Sequence, residues 1–378
     1  MKNLIYVYLI SLLVFSTLTA KEIKLGLSAD LSSEISYLGL NIKKGIESYF
    51  NKVNKNSTTK YKLIAYDDEY NPIKAARNVK KLIEKDDVLA LIGNVGTPTA
   101  NVVIPLLQKE KKILFGAYSG GEILRKKALN KYVFNYRTSY SQEAYSIMQK
   151  IYSLGIKPNE IAAFSQNDTY GDSGFKGIVK AYIEKGYSIH EIPHERYSKG
   201  TLNIEGGLSK LLDWNRDFKA IVIVGVNEAT KKFISYAKED FPNALFFVLS
   251  PVNLIDISKK LSKYKEDIYT TQVTPLLTSD LKVVDEFKEV FNKSFPNTSA
   301  NLISFEGYLV AKLFVKYLEN EDLENLDTNR LLEIFNQKKS VDIGLGFSSN
   351  FMNIQNQYSN KVWFANVKNE ELVEASFK

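Results

Sequence analysis

Residues 88–124 read VLALIGNVGTPTANVVIPLLQKEKKILFGAYSGGEIL and carry two strand-to-helix turns in succession. The apolar run 88–92 predicts a buried strand, which glycines then interrupt. Thr97 fits the N-cap position of the next helix, with Pro98 at its first helical position. A helix that begins here leaves its first backbone N–H groups without partners inside the helix, so these groups are available to a ligand.

The second turn follows the short apolar run 113–115, which predicts a neighbouring strand. Ser119, Gly120 and Gly121 then lead into a helix that starts near Glu122. Both turns fall at the carboxyl ends of strands, which is the edge where open α/β sheets bind their ligands. Helix N-termini at this edge favour a carboxylate or another electron-rich group.

The chain alternates short apolar runs with longer amphipathic ones from Glu22 onward, which predicts an α/β fold with parallel sheets. The predicted helices include 72–85, 141–154, 280–295 and 300–318. The predicted strands lie at 23–27, 61–66, 88–92, 113–115, 161–165, 188–192, 220–224, 246–249 and 268–273, with weaker runs at 343–347 and 362–367.

The series of strands is too long for one small sheet and restarts after Tyr136 with a new helix and strand. We expect two similar lobes joined by short crossings near Arg137, Ile268 and Val341, because no low-complexity linker separates them. Several short crossings favour hinge closure over independent tumbling. The predicted ranges are 21–137 with 270–341 for lobe 1, and 138–269 with 342–378 for lobe 2.

The opening segment, 1–20, is typical of a secretory signal peptide. Lys2 precedes an apolar run at 4–15, and small or polar residues follow up to Ala20, near which we expect cleavage. A retained anchor is the alternative, since Leu18 is larger than the usual residue at its position. The chain has no cysteine, which excludes disulfides, a thiol nucleophile and acylation as a lipoprotein. The sequence therefore predicts a periplasmic protein.

The formal net charge of +7 is spread over predicted helix faces, as at Lys43, Lys80 and Lys231. The sequence shows no basic stripe interleaved with aromatic residues. We interpret these lysines as solvated helix faces, and we expect no nucleic-acid partner.

Several motifs together resemble the type I periplasmic solute-binding proteins, specifically the branched-chain amino-acid-binding branch that serves ABC importers. They are LGLSADLSS at 25–33, YDDEYNPIKAARNVKKLI at 66–83, the two turns above, and FSQNDTYGDSGFKG at 164–177. The resemblance extends over nearly the whole chain after residue 20. It implies two Rossmann-like lobes joined by three crossover segments, with a small solute held in the cleft between them.

The resemblance also implies candidate ligand-binding residues. In the first lobe, the hydroxyl that holds the ligand carboxylate falls on Thr97, preceded by Gly96. The carbonyl and hydroxyl of the next turn fall on Ala117 and Ser119. From the second lobe, the aromatic residue that covers the ligand falls on Tyr170.

Other positions of the resemblance match less closely. Tyr37 lies near the position of a further cleft aromatic, and Asn227 and Glu228 follow the strand at 220–224. Two family positions depart from the amino-acid pattern, because the second cleft aromatic falls on Val226 and the acid that binds the amine falls near Pro251.

A buried ammonium without a counter-charge is unfavourable. Glu228 or Glu306 supplies the missing carboxylate, or the solute has no ammonium group. We favour the second interpretation, which predicts a small carboxylate, amide or related compound.

Three other features suggest catalysis or metal binding, and each has a simpler interpretation. His190 and His194 match the zinc-protease pattern HExxH, but that pattern requires a helix and Pro193 interrupts one. The acidic run 67–69 is interpreted as a solvent-facing cap of the next helix. Ser119 lacks the flanking residues of a nucleophile elbow. We therefore expect no metal, no cofactor and no catalytic residue.

Three classes of function remain for a chain with these features. The first is a substrate-binding protein that delivers a small-molecule solute to the membrane permease of an ABC transporter. The second is a sensor of the same fold that presents the bound state to a histidine kinase or chemoreceptor. The third is an extracytoplasmic hydrolase, which no arrangement of acid, base and nucleophile in the sequence supports. In the first two, ligand contacts from both lobes favour the closed state, which the partner recognises.

Overall fold

The computed structural model describes residues 21–33, 36–126, 130–353 and 355–377, so the expected signal peptide lies outside the described residues. The strands are β1 (Lys21–Ala29), β2 (Thr59–Asp67), β3 (Ala90–Ile92), β4 (Ile113–Phe115), β5 (Val133–Phe134), β6 (Ile161–Gln166), β7 (His194–Tyr197), β8 (Ala220–Val224), β9 (Leu245–Val248), β10 (Ile268–Gln272), β11 (Val341–Asp342), β12 (Ser348–Ser349), β13 (Trp363–Lys368) and β14 (Glu371–Glu374). The α-helices are α1 (Ser36–Asn56), α2 (Pro72–Glu84), α3 (Thr97–Glu110), α4 (Tyr140–Ser153), α5 (Thr169–Glu184), α6 (Glu205–Asp213), α7 (Asn227–Asp240), α8 (Leu254–Lys260), α9 (Lys282–Ser294), α10 (Leu302–Leu318) and α11 (Thr328–Phe335).

The first lobe is built on a parallel sheet with the strand order β2-β1-β3-β4-β5. Successive residues of a strand point to opposite faces, so Ile113 and Phe115 pack under α1, α9, α10 and α11 while Leu114 packs under α2 and α3. These short apolar strands are buried on both faces, as expected for a parallel sheet. The predicted α/β architecture is confirmed here.

The second lobe has the strand order β14-β13-β10-β9-β8-β6-β7. Strands β6 to β10 pair in parallel, whereas β13 and β14 form an antiparallel edge. Helices α4 and α5 cover one face, and α6, α7 and α8 cover the other. The sequence predicted only parallel pairing, so this edge is an addition to the prediction.

One predicted strand of the second lobe is wrong. Residues Ile189–Glu191 form a 3-10 turn, and the strand is His194–Tyr197 instead. The carboxylate of Glu191 accepts a hydrogen bond of 2.7 Å from the backbone N–H of Ser188, which closes this segment into a turn. The extended chain begins only after Pro193.

The crossings between the lobes differ from two of the predicted positions. The first lies between β5 and α4, at the predicted Arg137. The second follows Gln272 rather than Ile268, because β10 belongs to the second sheet along its whole length. The third follows Tyr358 rather than Val341, because apolar side chains of 341–358 pack into the first core.

The described part of the chain contains no helix with both the length and the apolar character needed to cross a membrane.

Candidate functional site

The first turn of the site lies at the N-terminus of α3. Gly96 has φ 105°, and a Cβ atom there would lie 2.6 Å from Cε2 of Tyr70. The position therefore requires glycine for both its backbone conformation and its space. Thr97 is the first residue of the helix and not its N-cap, which is Gly96 without a side-chain cap. The prediction of Thr97 as an N-cap is wrong, and its hydroxyl bonds elsewhere.

That hydroxyl joins the two predicted turns. Oγ1 of Thr97 lies 2.8 Å from Oγ of Ser119, and Oγ of Ser119 accepts a bond of 3.1 Å from the backbone N–H of Gly121. Thr97 and Ser119 are 1% and 0% exposed. The carbonyl of Ala117 is in the same turn and accepts from the N–H of Ser119 at 2.8 Å. Adjacent strands β3 and β4 thus bring Gly96, Thr97, Ala117 and Ser119 together.

The second lobe closes directly over these turns. The backbone N–H of Tyr140 donates to the carbonyl of Gly120 at 2.8 Å, and a Cβ atom on Gly120 would collide with the Tyr140 ring. The rings of Tyr140 and Tyr170 meet edge to face with centroids 4.8 Å apart. The hydroxyl of Tyr170 donates to the carbonyl of Gly225 in its own lobe at 3.3 Å. Tyr170 is therefore a buried cleft aromatic whose hydroxyl is already bonded.

The remaining predicted residues come from both sides of the cleft, Tyr37 from α1 of the first lobe and Asn227 and Glu228 from α7 of the second. Tyr37 reaches across the cleft, and its hydroxyl donates to the carbonyl of Pro251 at 2.8 Å. Asn227 bonds Asp256 at 2.9 Å. Glu228 pairs with Lys231 at 2.7 Å at the start of α7. Nζ of Lys231 also lies 3.4 Å from Oδ2 of Asp256, so one lysine is shared by the carboxylates of Glu228 and Asp256.

Tyr70 is a cleft residue that the sequence did not indicate. Its ring packs on Gly96, and Nζ of Lys199 from the second lobe lies 4.1 Å from the ring centroid. Burial, with Asp168 nearby, raises the pKa of Tyr70 well above its ordinary value, although Gln166 hydrogen-bonds the hydroxyl. The sequence offered no signal for it, since an aromatic between an acidic run and a proline fits any loop.

Arg137 is a second cleft residue whose side-chain role the sequence did not indicate. Its guanidinium is 0% exposed and lies 4.4 Å from the ring centroid of Tyr118. Nε lies 3.6 Å from Oε1 of Glu306 in the first lobe, and Nη2 lies 3.7 Å from Oε1 of Glu143 in the second. Nη2 also donates to the hydroxyl of Ser250. Arg137 therefore contacts both lobes at the crossing that joins them.

The electrostatics of this cluster follow from its burial. Desolvation raises the pKa of Glu306 to about 7, although the charge of Arg137 acts in the opposite direction. Desolvation alone would lower the pKa of Arg137, but Glu306, Tyr140 and Tyr118 more than compensate and raise it. Arg137 is a permanent cation, and Glu306 is already beside it. Glu228 and Glu306 therefore each have a cation beside them, Lys231 and Arg137 respectively.

The acidic run at 67–69 does not cap the next helix, which corrects that interpretation. Asn71 is the N-cap of α2. Asp68 is 0% exposed and accepts from the Ser28 hydroxyl at 2.7 Å and from the N–H of Tyr70 at 2.9 Å. Burial raises the pKa of Asp68 to about 6. Asp68 therefore fixes the loop that carries Tyr70.

The two histidines do not share a helix face. His190 lies in a 3-10 turn and His194 in β7, where its ring stacks on Phe175 at 3.6 Å. Burial lowers the pKa of His194 to about 4, with a smaller effect of Arg196. Within the described ranges, no group of three potential metal ligands comes together.

Two α/β lobes joined by three crossings, with the two predicted turns at their interface, define the class of type I periplasmic binding proteins. The chain belongs to the periplasmic binding protein family, whose sequence pattern matches residues 22–371. Members of this family are extracytoplasmic solute-binding proteins. The curated proteins include no significant match.

Solved structures agree with this assignment. A possible leucine/isoleucine/valine-binding protein from Rhodopirellula baltica is 32% identical, with a TM-score of 0.89 over 96% of this chain and 98% of that chain. A branched-chain amino acid ABC transporter protein from Thermus thermophilus with bound valine is 16% identical, with a TM-score of 0.81 over 94% and 96% of the two chains. A solute-binding protein from R. palustris in complex with 4-hydroxybenzoate is also 16% identical, with a TM-score of 0.80 over 95% and 96%. The last two show similarity of fold alone.

Proposed function

We propose that this protein is the periplasmic substrate-binding component of an ABC importer, and that it captures a small carboxylate, amide or amino-acid-like solute by closure of its two lobes. The observation that carries the proposal is the buried hydroxyl pair of Thr97, at the start of α3, and Ser119, in the turn between β4 and the 3-10 turn Glu122–Arg125. Hydroxyls and backbone N–H groups at the start of a helix complement a carboxylate. The named relatives bind, or are named for, carboxylate-bearing solutes of this size.

Within this class we favour a solute without an ammonium group. Glu228 is paired with Lys231, and Glu306 lies beside Arg137. The family position for the amine-binding acid falls near Pro251, whose carbonyl accepts from Tyr37. An ammonium beside Glu306 would also face the buried guanidinium of Arg137, and this repulsion carries the preference.

A thermal-shift screen with three matched compounds tests this preference. Leucine, 4-methylpentanoate and 4-methylpentanamide share one carbon skeleton and differ in the amine and the carboxylate. We expect 4-methylpentanoate, or the amide, to raise the melting temperature more than leucine does. A strong shift with leucine alone would overturn the preference for a solute without an amine, and no shift with any small acid or amide would overturn the proposed function.

A further inference from the structure

The strongest unexplained feature of the cleft is a pair of buried charged groups that face each other without a direct hydrogen bond. Among the described residues, Nε and Nη1 of Arg137 and Oε1 of Glu306 have no hydrogen-bond partner. Nε and Oε1 are 3.6 Å apart, which is too long for a direct bond. Leaving such groups unsatisfied in a buried site is costly.

This pair lies beside the second turn of the proposed ligand site. The Arg137 guanidinium lies over the ring of Tyr118, the residue before Ser119, at 4.4 Å. The side chain of Arg125 links the second turn to the backbone of Arg137. It donates to the carbonyl of Gly121 at 2.9 Å and to the carbonyl of Arg137 at 2.8 Å. A solute held at Ser119 therefore has Arg137 and Glu306 near its other end.

Resting on the proposed function, we propose that Arg137 and Glu306 form a second polar subsite that takes a hydroxyl group of the solute. The solute class is then a hydroxylated carboxylic acid. A hydroxyl both accepts and donates, so it bonds the guanidinium and the carboxylate at once. A hydroxyl oxygen can lie about 2.8 Å from both Nε of Arg137 and Oε1 of Glu306, because these two atoms are 3.6 Å apart.

Other common groups fit this subsite less well. An ammonium only donates, and the permanent charge of Arg137 repels it. A second carboxylate only accepts, and Glu306 repels it when ionised. The subsite thus favours a neutral hydroxyl over either charged group. Its specificity comes from the unfavourable free energy of placing an ammonium or a carboxylate there.

Calorimetric titration with butanoate and with 2-, 3- and 4-hydroxybutanoate tests this inference on the full mature chain. We expect at least one hydroxy acid to bind about 10-fold more tightly than butanoate, because it completes two charge-assisted hydrogen bonds. The decisive readout is the ratio of the affinity for the tightest-binding hydroxybutanoate to the affinity for butanoate. A general effect of a substitution on folding or closure changes both affinities equally and leaves this ratio unchanged.

Substitutions then test whether Arg137 and Glu306 cause the tighter binding of the hydroxy acid. In Glu306→Met the ratio should fall to about 2 or less. If Glu306→Met does not fold, Arg137→Lys provides the same test, because lysine keeps the positive charge but lacks Nε. Glu286→Gln is the control, since this carboxylate pairs with Lys312 at 2.9 Å among α1, α9 and α10, and the ratio should stay at its wild-type value.

Two results would overturn the inference while leaving the proposed function intact. One is equal binding of butanoate and all three hydroxybutanoates by the wild type, which would mean that a water molecule bonds Arg137 and Glu306. The other is an unchanged ratio in the Glu306 and Arg137 variants. Failure of every carboxylate to bind would overturn the proposed function and this inference together.

Discussion

The position of Gly96 requires glycine for two reasons. Its backbone is in the left-handed region at φ 105°, and its missing side chain leaves room for the ring of Tyr70. The ring in turn covers the N-terminus of α3, where we place one end of the solute. A side chain at this position therefore affects both the strain of the backbone and the shape of the cleft.

Gly96→Ala should lower both the free energy of unfolding and the affinity for 4-methylpentanoate. We expect a loss of about 2–3 kcal/mol in urea unfolding, from strain plus displacement of the Tyr70 ring. Gly155→Ala is the matched control, because Gly155 has φ 81° but nothing within 4 Å of the added Cβ. It should cost about 1 kcal/mol and leave affinity unchanged. Equal effects of the two substitutions on affinity would contradict this role of Gly96.

Asp68 should make stability depend on pH. Burial raises its pKa from 3.8 to about 6 in the folded protein. Between these values the folded state binds more protons than the unfolded chain, so stability falls as pH rises. Relative to Asp68→Asn, the wild type should lose about 3 kcal/mol of unfolding free energy between about pH 3 and pH 7. The control is Asp67→Asn, for which the change of stability with pH should have the opposite sign. Hydrogen bonds from Ser32 and Leu31 outweigh burial and lower the pKa of Asp67. A difference between wild type and Asp68→Asn that does not change with pH would contradict the prediction.

The positions of the two first-lobe turns could be predicted from the sequence. The sequence placed Thr97 and Ser119 at turns that each follow a short apolar strand, and the parallel pairing of β3 with β4 brings the two turns together. Their role in ligand binding came from the family resemblance and stays a prediction. Tyr70, Arg137 and the burial of Asp68 were not predicted. Their roles depend on contacts between segments distant in sequence, such as Arg137 with Glu306. Local patterns carry no record of such contacts.

Among the helices, α1 and α10 cross at unusually short distance. A Cβ atom on Gly45 would lie 2.0 Å from the carbonyl oxygen of Ser304, and one on Gly307 would lie 2.4 Å from that of Ile42. Glycine at both positions lets the two backbones approach each other. The crossing fixes the helical layer that carries Glu306 into the cleft.

Gly45→Ala should therefore destabilise the first lobe although alanine is the better helix former. We expect a loss of about 1–3 kcal/mol or more, because the helices must move apart. Gly206→Ala in α6 is the control, since a Cβ atom there meets nothing within 4 Å and should add up to about 1 kcal/mol of stability. Chemical unfolding of both variants gives the comparison. A stabilising Gly45→Ala would show that the helices do not pack as described.

The order of elements was largely predictable, and their membership of a lobe was less so. Apolar runs with helical or alternating spacing located β4, β8 and most helices closely. The predicted crossing near Ile268 falls within β10, which belongs to the second sheet along its whole length. The crossing after Tyr358 was misplaced because the apolar residues of 341–358 fit either core equally well by composition. Only the packing of that segment against the first sheet distinguishes the two.

The two lobes are in contact across the cleft. Tyr37 bonds Pro251, the hydroxyl of Ser173 accepts from the N–H of Glu122 at 3.2 Å, and Lys176 pairs with Glu122 at 3.0 Å. The ion pair is largely exposed and contributes little. The bond from Tyr37 is less exposed, so it should contribute more to the closed state.

Tyr37→Phe should shift the free protein towards an open state. Loss of one interlobe hydrogen bond of about 1 kcal/mol should raise the open fraction and weaken 4-methylpentanoate binding by about 3- to 10-fold. Small-angle X-ray scattering should show a larger radius of gyration for the free variant. Tyr145→Phe is the control, because its hydroxyl bonds Glu184 within the second lobe. Identical scattering and affinity for the Tyr37 variant and wild type would exclude Tyr37 from the closure.

Calorimetric titration of 4-methylpentanoate into the wild type, Thr97→Val and Ser119→Ala is the decisive test of the proposed site. In that site the two hydroxyls, 2.8 Å apart, hold the carboxylate of a small solute as the lobes close over it. We expect each variant to remain folded, with a melting temperature lowered by the loss of the bond between the two buried hydroxyls. We expect it to bind about 10-fold or more weakly, because a charge-assisted hydrogen bond to the solute is lost. Wild-type affinity in both variants would contradict this arrangement and place the solute elsewhere.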